Sequence, residues 1–306
     1  MTSRVLLPWA DFDTDDARWP GLVIDTYDGM GAAPEDVADV EFYVLPYDRG
    51  GAPVELLNRM PALRAVQSLS AGVEKLLPLM PPGARLCNGR GLHDASAAEH
   101  ALALILAAQR DLPRWLRQQT LGTWQRKHTR SLADARVTIV GYGSIGRAAE
   151  RRLLAAEALV TRVASRARPH EDVHGVNELP ELLGDTDILL LILPESPATV
   201  GLIGAKELAM LSDDALVVNI GRGRTLDTAA LQGEIAAGRL RAALDVVDPE
   251  PLPANNPLWR SECVIITPHV AGGSASFYPR ARALVDEQLR RFAGGEQLLH
   301  VVPTDR

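Results

Sequence analysis

The sequence VTIVGYGSIGRAAERRL at residues 137–153 is the strongest indication of the fold of this chain. Apolar residues suited to a buried strand lead into the turn GYGSIG at 141–146, and a helical pattern follows at once. This is the G-x-G-x-x-G pattern of a dinucleotide-binding βαβ unit. In such a unit Gly141 permits a tight turn, Gly143 lets backbone N–H groups approach a pyrophosphate, and Gly146 lets helix and strand pack closely. The alternative, an ordinary strand-to-helix turn, is disfavoured by the flanking patterns, so the stretch predicts an anion site at a helix N-terminus.

Six continuous apolar runs, separated by helical patterns, start with the strand that leads into this turn. They lie at residues 136–140, 159–164, 188–193, 215–220, 241–247 and 263–267. Runs rich in Val, Leu and Ile are typical of parallel strands that are buried on both faces. Six of them with intervening helices predict a complete doubly wound nucleotide-binding domain. Because its glycine-rich turn begins only near residue 141, the first third of the chain is predicted to form a separate domain.

That first third also alternates short apolar runs with helical patterns. Strands are predicted at 4–7, 21–24, 41–44 and 65–68, with helical stretches at 34–39 and 53–60. A long helix is then predicted from a capping box at Ser96-Ala97-Ala98-Glu99, with Pro113 ending or kinking it. The stretch 97–109 is apolar nearly all round, which favours a helix buried between layers or domains.

Composition and charge exclude several classes of protein. The 306 residues are enough for two domains, and 46% hydrophobic with 23% charged residues is typical of a globular protein. A net charge of −7 argues against a nucleic-acid partner. Cys87 and Cys263 are too few for a disulfide framework and are predicted to be buried thiols in a reducing compartment. With no signal-peptide pattern at the start and no apolar run of membrane-spanning length, we expect a cytoplasmic protein without a membrane partner.

Candidate catalytic side chains follow three successive predicted strands. Arg222 follows the fourth strand of the series and His269 follows the sixth. Asp245 lies near the carboxyl end of the fifth strand, and Glu250 follows that strand. Since ligands of such sheets bind outside the carboxyl ends of the strands, these groups should converge beside the glycine-rich turn. Taken singly, the arginine could be a surface residue, the glutamate a solvated loop residue and the histidine a structural one.

Together these groups suit the reduction of a 2-keto acid or the oxidation of a 2-hydroxy acid. Hydride transfer to a carbonyl needs a proton donor, and histidine is the usual group near neutral pH. An arginine can hold a carboxylate in a bidentate fork and polarise the adjacent carbonyl. A carboxylate beside the histidine favours its protonated form and fixes its orientation.

Several ordered motifs resemble the D-isomer-specific 2-hydroxyacid dehydrogenase family over nearly the whole chain. These motifs are LRAVQSLSAGVEKL, SAAEHALALIL, VGYGSIGR, LPESPATVGLIG, VVNIGRGRTLD, ALDVVDPEPLP and IITPHVAGG. The resemblance implies two doubly wound parallel-sheet α/β domains, in which a Rossmann dinucleotide-binding domain (97–275) is inserted into a flavodoxin-like substrate domain (1–96 plus 276–306).

The resemblance also implies roles for single residues. Arg222 of the N-x-x-R-G motif would bind and polarise the substrate, Glu250 of E-P-L-P would assist the histidine, and His269 of T-P-H would be the acid/base. The substrate carboxylate would meet backbone N–H groups of the S-A-G-V loop at Ala71, Gly72 and Val73. The remaining residues predicted to contact the cofactor are Gly141, Tyr142, Gly143, Ser144, Ile145, Gly146, Ser165, Arg166, Leu193, Pro194, Thr199, Ile220, Gly221, Arg222, Asp245, His269, Ala271 and Gly272. No metal site is predicted.

The end of the second strand of this domain bears on the choice of cofactor. An NAD enzyme would carry an acidic residue there, about 20 residues after the glycines. The chain instead has Ser165, Arg166 and Arg168, with no acid before Glu171. Ser165 can donate to a 2′-phosphate and Arg166 can pair with it, so NADP(H) is predicted to be preferred and NAD(H) remains possible. Alternatively, these arginines are solvated surface charges.

The sequence therefore predicts an NAD(P)H-dependent reductase of small 2-keto acids, of the glyoxylate or hydroxypyruvate reductase type. The family's phosphoglycerate dehydrogenases often carry a further regulatory domain, for which this chain leaves no length. Phosphoglycerate dehydrogenase activity is therefore less favoured. A non-catalytic, dinucleotide-sensing interaction protein of the same fold is the alternative from another class. By the same resemblance a homodimer is expected, with the long helix and the segment 112–130 as candidate contacts.

Overall fold

The computed structural model describes residues 2–15, 18–47, 49 and 51–303. The chain forms two compact units, one made of Met1–His93 with Ala275–Arg306 and the other of Asp94–Ser274. Within the described residues, no helix combines the length and the apolar character that a membrane span requires.

The first unit is built on a five-stranded parallel sheet. Its strands are β1 (Ser3–Leu7), β2 (Leu22–Thr26), β3 (Val40–Val44), β4 (Ala65–Gln67) and β5 (Arg85–Cys87), and its helices are α1 (Ala52–Glu55) and α8 (Phe277–Ala293), with 3₁₀ turns at Leu56–Arg59 and Leu77–Leu79. The strand order β2-β1-β3-β4-β5 is that of a flavodoxin-like sheet. One face is covered by α8, whose buried Phe277, Val285 and Phe292 join the same core cluster as β1 and β3.

The second unit is built on a seven-stranded parallel sheet with helices on both faces. Its strands are β6 (Arg136–Val140), β7 (Leu159–Ala164), β8 (His174–Gly175), β9 (Ile188–Leu191), β10 (Leu216–Asn219), β11 (Arg241–Leu244) and β12 (Val264–Ile266). Its helices are α2 (Asp94–Gln109), α3 (Leu112–Thr120), α4 (Ser144–Ala155), α5 (Leu179–Leu183), α6 (Ala205–Met210) and α7 (Thr228–Ala236). The order β8-β7-β6-β9-β10-β11-β12 is the 3-2-1-4-5-6 order of dinucleotide-binding folds with one strand added.

The predicted fold class, two parallel-sheet α/β domains, is confirmed, and all six strands predicted for the second unit are present. The short strands β5 and β8 were missed, because three and two residues are too few to show a periodicity. The 3₁₀ turns that connect the elements of this unit are Pro169–Glu171, Val176–Glu178, Gly223–Thr225 and Pro257–Arg260.

Three local predictions were wrong. No helix forms at 34–39, where the Asp36 and Asp39 carboxylates lie 3.4 and 2.6 Å from the Arg4 guanidinium. The capping box at Ser96 is also wrong, since α2 begins two residues earlier and the Ser96 hydroxyl lies 2.6 Å from that of Ser274. Cys263 is only partly buried, because it precedes β12 at the edge of the sheet.

Candidate functional site

The glycine-rich turn lies at the carboxyl end of β6 and opens α4. Gly141 has a φ of +107°, which favours glycine, and a Cβ there would collide with the Ile192 carbonyl oxygen. At Gly146 a Cβ would lie 2.8 Å from the Gly141 carbonyl oxygen, so helix and turn pack too closely for a side chain. Gly143, the N-cap of α4, supplies no side-chain cap and faces open space. The first turn of α4 therefore presents backbone N–H groups to an anion, and the turn fits a dinucleotide pyrophosphate.

Arg222 follows β10 on a turn that is fixed by its neighbours. The buried Asn219 amide donates to the Arg222 carbonyl oxygen at 3.1 Å and accepts from the Gly221 N–H at 3.0 Å. The Thr225 hydroxyl donates to the same Arg222 carbonyl at 2.7 Å. A Cβ at Gly223 would overlap backbone atoms of the loop after β11, so this turn packs directly on the next strand's loop. Asn219 and Thr225 were not predicted as positioning residues, although Asn219 opens the N-x-x-R-G motif and Thr225 follows it by two residues.

His269 and Glu250 form the pair that the sequence predicted. The His269 Nδ1 lies 2.5 Å from Glu250 Oε1, and both side chains remain partly exposed. Since an ionised carboxylate only accepts hydrogen bonds, Nδ1 carries the proton in this pair, and Nε2 is left for a reacting group. His269 adopts a φ of +54°, a conformation that residues other than glycine rarely take.

Asp245 holds the loop that carries this histidine. Its buried carboxylate accepts from the Thr267 hydroxyl at 2.5 Å and from the Val270 and Ala271 N–H groups at 2.9 Å each. The Asp245 carbonyl accepts from the His269 N–H at 2.8 Å. These bonds fix the left-handed conformation of the histidine. The direct contact between Asp245 and the cofactor stays a prediction.

A histidine that the sequence reasoning did not single out supports this loop. The His100 Nε2 on α2 lies 2.9 Å from the Thr267 hydroxyl and 3.4 Å from an Asp245 carboxylate oxygen. Because the Thr267 hydroxyl proton is donated to Asp245, the His100 Nε2 is the donor to Thr267. The SAAEHALALIL motif, in which His100 follows Glu99, therefore also brings a residue of α2 to the candidate site.

The predicted phosphate-selecting residues lie directly after β7. Ser165 and Arg166 are exposed, and among the described residues Arg166 makes no ion pair. Arg168 turns back toward the glycine-rich turn and donates from Nη2 to the Tyr142 carbonyl oxygen at 2.9 Å. The end of this strand is therefore basic and lies next to the turn.

The other predicted cofactor contacts also lie at this edge of the second unit's sheet. Leu193, Pro194 and Thr199 lie in the loop after β9, where the Thr199 hydroxyl donates to the Pro194 carbonyl oxygen at 2.7 Å. Ile220 follows β10 and donates its N–H to the Leu191 carbonyl oxygen at 3.1 Å, while Gly272 follows the Asp245-bound segment.

The S-A-G-V loop of the first unit follows β4. Ala71, Gly72 and Val73 are partly exposed there, and the Asn88 amide donates to the Ala71 carbonyl oxygen at 3.1 Å. Behind the loop, the buried Gln67 amide donates to the carbonyl oxygens of residues 68 and 88, and the Gln288 amide of α8 donates to the Gln67 side-chain oxygen at 2.6 Å. A buried amide chain thus orders this loop.

Comparison with known proteins identifies the family. Residues 102–271 match the model of the D-isomer specific 2-hydroxyacid dehydrogenase NAD-binding domain. The chain is 29% identical over 305 residues to D-3-phosphoglycerate dehydrogenase of Archaeoglobus fulgidus, covering 96% of this chain but 58% of that protein. The chain therefore spans little more than half the length of that relative.

Two solved structures are similar over almost the full length of both chains. A D-isomer specific 2-hydroxyacid dehydrogenase from Xanthobacter autotrophicus, in complex with NADPH and MES, is 30% identical with a TM-score of 0.81 over 99% of this chain and 98% of that one. An NADPH-dependent glyoxylate/hydroxypyruvate reductase from Sinorhizobium meliloti, in complex with NADP and sulfate, is 27% identical with a TM-score of 0.81 over 99% of each chain. With its glycine-rich turn, its paired His269 and Glu250 and the match to the family model, the chain belongs to the D-isomer specific 2-hydroxyacid dehydrogenase family.

Proposed function

We propose that this protein reduces small 2-keto acids of the glyoxylate or hydroxypyruvate type to D-2-hydroxy acids, with NADPH as the preferred cofactor. The observation that carries the proposal is the His269–Glu250 pair, whose side chains lie 2.5 Å apart. Glu250 follows β11, the neighbour of the strand that precedes Arg222, and His269 follows β12, the next strand in the sheet. The similarity to the Sinorhizobium meliloti reductase supports the substrate class.

The proposed mechanism assigns one task to each polar group. The nicotinamide, when bound, supplies the hydride. Protonated His269 gives the Nε2 proton to the carbonyl oxygen of the keto acid, while Glu250 holds the ring through Nδ1 and stabilises its positive charge. Arg222 binds the substrate carboxylate and polarises the reacting carbonyl.

The substrate and cofactor are tested together by steady-state turnover. Purified protein is assayed with glyoxylate, hydroxypyruvate, pyruvate, phenylpyruvate and 3-phosphohydroxypyruvate, each with NADPH and with NADH. The proposal expects the highest kcat/KM for glyoxylate or hydroxypyruvate with NADPH. The highest value for 3-phosphohydroxypyruvate would instead favour the activity named for the Archaeoglobus relative. Cofactor binding without turnover of any acid would favour a non-catalytic binding protein.

Arg166→Ala is expected to narrow the cofactor preference mainly by raising the KM for NADPH. Arg166 is exposed and has no ion pair among the described residues, so its guanidinium is available to a 2′-phosphate. A hydrogen bond to a charged group is worth about 1.5–3 kcal/mol, or roughly ten- to a hundredfold in affinity. Adding Ser165→Asp should favour NADH further, because the carboxylate repels the phosphate and binds the ribose hydroxyls. Equal use of both cofactors by the wild type would contradict the assignment.

We also propose a homodimer that uses the segment 112–130. Leu116, Leu121 and Trp124 are 63%, 75% and 89% exposed there, an unusual concentration of large apolar side chains in the second unit. Sedimentation velocity is expected to give a dimer for the wild type and a larger monomer fraction for Trp124→Ala. Trp259→Ala is the matched control, since that indole is also exposed but lies outside the segment. A monomeric wild type at micromolar concentration would disprove the dimer.

A further inference from the structure

Three arginines surround the tyrosine of the glycine-rich turn. The guanidinium carbons of Arg147, Arg168 and Arg162 lie 4.9, 5.7 and 5.9 Å from the centre of the Tyr142 ring. The positive charge of Arg162 is already balanced, because its guanidinium donates to the Glu150 carboxylate. That carboxylate also accepts from the Tyr142 hydroxyl. Arg147 and Arg168 are the two members of this cluster that do not use that buried acid.

One carboxylate, that of the partly exposed Glu171, pairs with both of these arginines. Arg147 donates from Nη2 to Glu171, and the Arg168 Nε lies 3.5 Å from the same carboxylate oxygen. That Nε is buried and makes no hydrogen bond within the described part of the chain. The exposed His170 Nε2 lies 3.5 Å from the other Glu171 oxygen. Glu171 is therefore a shared counter-anion whose bonds to Arg168 are incomplete.

The position of this counter-anion coincides with the region that discriminates cofactors in this fold. In a doubly wound domain, the group that contacts the ribose 2′ position comes from the end of the second strand, here β7. Arg168 lies four residues after Ala164, the last residue of β7, and its Nη2 bonds the Tyr142 carbonyl within the glycine-rich turn. A phosphate monoester carries up to two negative charges and can accept from a guanidinium at two oxygens, whereas Glu171 carries one charge.

We infer that Glu171 is an internal counter-anion that the 2′-phosphate of NADPH displaces from Arg147 and Arg168, and that it thereby limits the preference for NADPH. This inference rests on the proposed use of NADPH. NADH has no 2′-phosphate, so its binding leaves the Glu171 ion pairs intact. The hydrogen bond from Arg147 holds the pKa of Glu171 below its ordinary value, so the carboxylate stays charged and competes throughout the neutral range.

The inference predicts a gain of affinity on removal of this charge. Glu171→Gln should bind 2′,5′-ADP about three- to tenfold more tightly, since one or two partly exposed ion pairs no longer have to be broken. Binding of ADP, which lacks the 2′-phosphate, should not change. Both affinities are measured by isothermal titration calorimetry on the full chain, and the KM for NADPH and NADH is measured in parallel. A gain in affinity for only the phosphorylated probe cannot arise from damaged folding.

Two further variants make the test specific. Glu234→Gln is the matched control, because Glu234 pairs with Arg239 at 2.6 Å at the end of α7 and should leave both affinities unchanged. In an Arg147→Ala/Arg168→Ala background, Glu171→Gln should no longer improve binding of 2′,5′-ADP, as expected for a coupled set of residues.

The direction in which Glu171→Gln changes the affinity for 2′,5′-ADP tests the role of Glu171. Weaker or unchanged binding of 2′,5′-ADP by Glu171→Gln would overturn it, because Glu171 would then only order the arginines. If the wild type binds ADP and 2′,5′-ADP equally well, the proposed NADPH preference fails. In that case the role inferred for Glu171 still requires that Glu171→Gln bind 2′,5′-ADP more tightly than ADP. If the variant also binds the two probes equally well, both the NADPH preference and the role of Glu171 are refuted.

Discussion

His269→Ala is expected to abolish nearly all reductase activity while leaving NADPH binding intact. The substitution removes the group that gives a proton to the carbonyl oxygen, and such general acid catalysis contributes about 10²–10⁴-fold to the rate. The loop itself should keep its conformation, because the Asp245 carboxylate binds the backbone N–H groups of Val270 and Ala271 and these bonds do not involve the imidazole. The measurements are kcat with the best keto acid and NADPH affinity by fluorescence titration.

A matched histidine allows a direct control for this prediction. His174 pairs with Glu178 at 2.8 Å in the same unit, so it resembles the His269–Glu250 pair in type but not in place. His174→Ala should keep most of the activity. A fully active His269→Ala would remove the acid assignment altogether.

Glu250→Gln tests the same pair from the side of the carboxylate. The Glu250 carboxylate lies 2.5 Å from Nδ1, where it orients the imidazole and stabilises the positive charge of the ring. A neutral amide can still accept the hydrogen bond but carries no charge, so we expect kcat to fall while some activity remains. An unchanged kcat in Glu250→Gln would show that the pair does not act together, and Glu178→Gln serves as the control.

Arg222→Ala is expected to lower kcat/KM for every active keto acid by on the order of a hundredfold or more. The change deletes the bidentate partner of the substrate carboxylate and the charge beside the reacting carbonyl. The turn should survive, because Asn219 and Thr225 bond the backbone carbonyl of residue 222 and not its side chain. Arg222→Lys should restore little activity, because an ammonium cannot reproduce the planar fork.

The neighbouring arginine supplies the control for this second prediction. Arg224 is more than half exposed and pairs with Glu195 at 2.9 Å, so Arg224→Ala should leave kcat/KM close to the wild-type value. Near-normal kcat/KM in Arg222→Ala on every active substrate would show that the substrate carboxylate binds elsewhere.

Features that depend on local patterns were predictable from the sequence alone. The glycine-rich turn, the six strands from β6 to β12 other than β8, and the paired acid and histidine were all predicted. Glycine spacing, continuous apolar runs and residues placed after strand ends are visible along the chain without knowledge of its folding. The helix predicted at 34–39 and the capping box predicted at Ser96 were wrong, because side-chain partners distant in sequence bind there.

The groups that hold these features in place are visible only in the folded chain. Asp245 bonds the backbone 25 and 26 residues later, His100 reaches Thr267 across 167 residues, and Arg147 meets Glu171 across 24. Such contacts follow from the order of strands in the sheet and from the faces that the helices cover. A residue's local pattern fixes its element but not its neighbours, so hydrogen-bond partners far along the chain become visible only once the strands are paired.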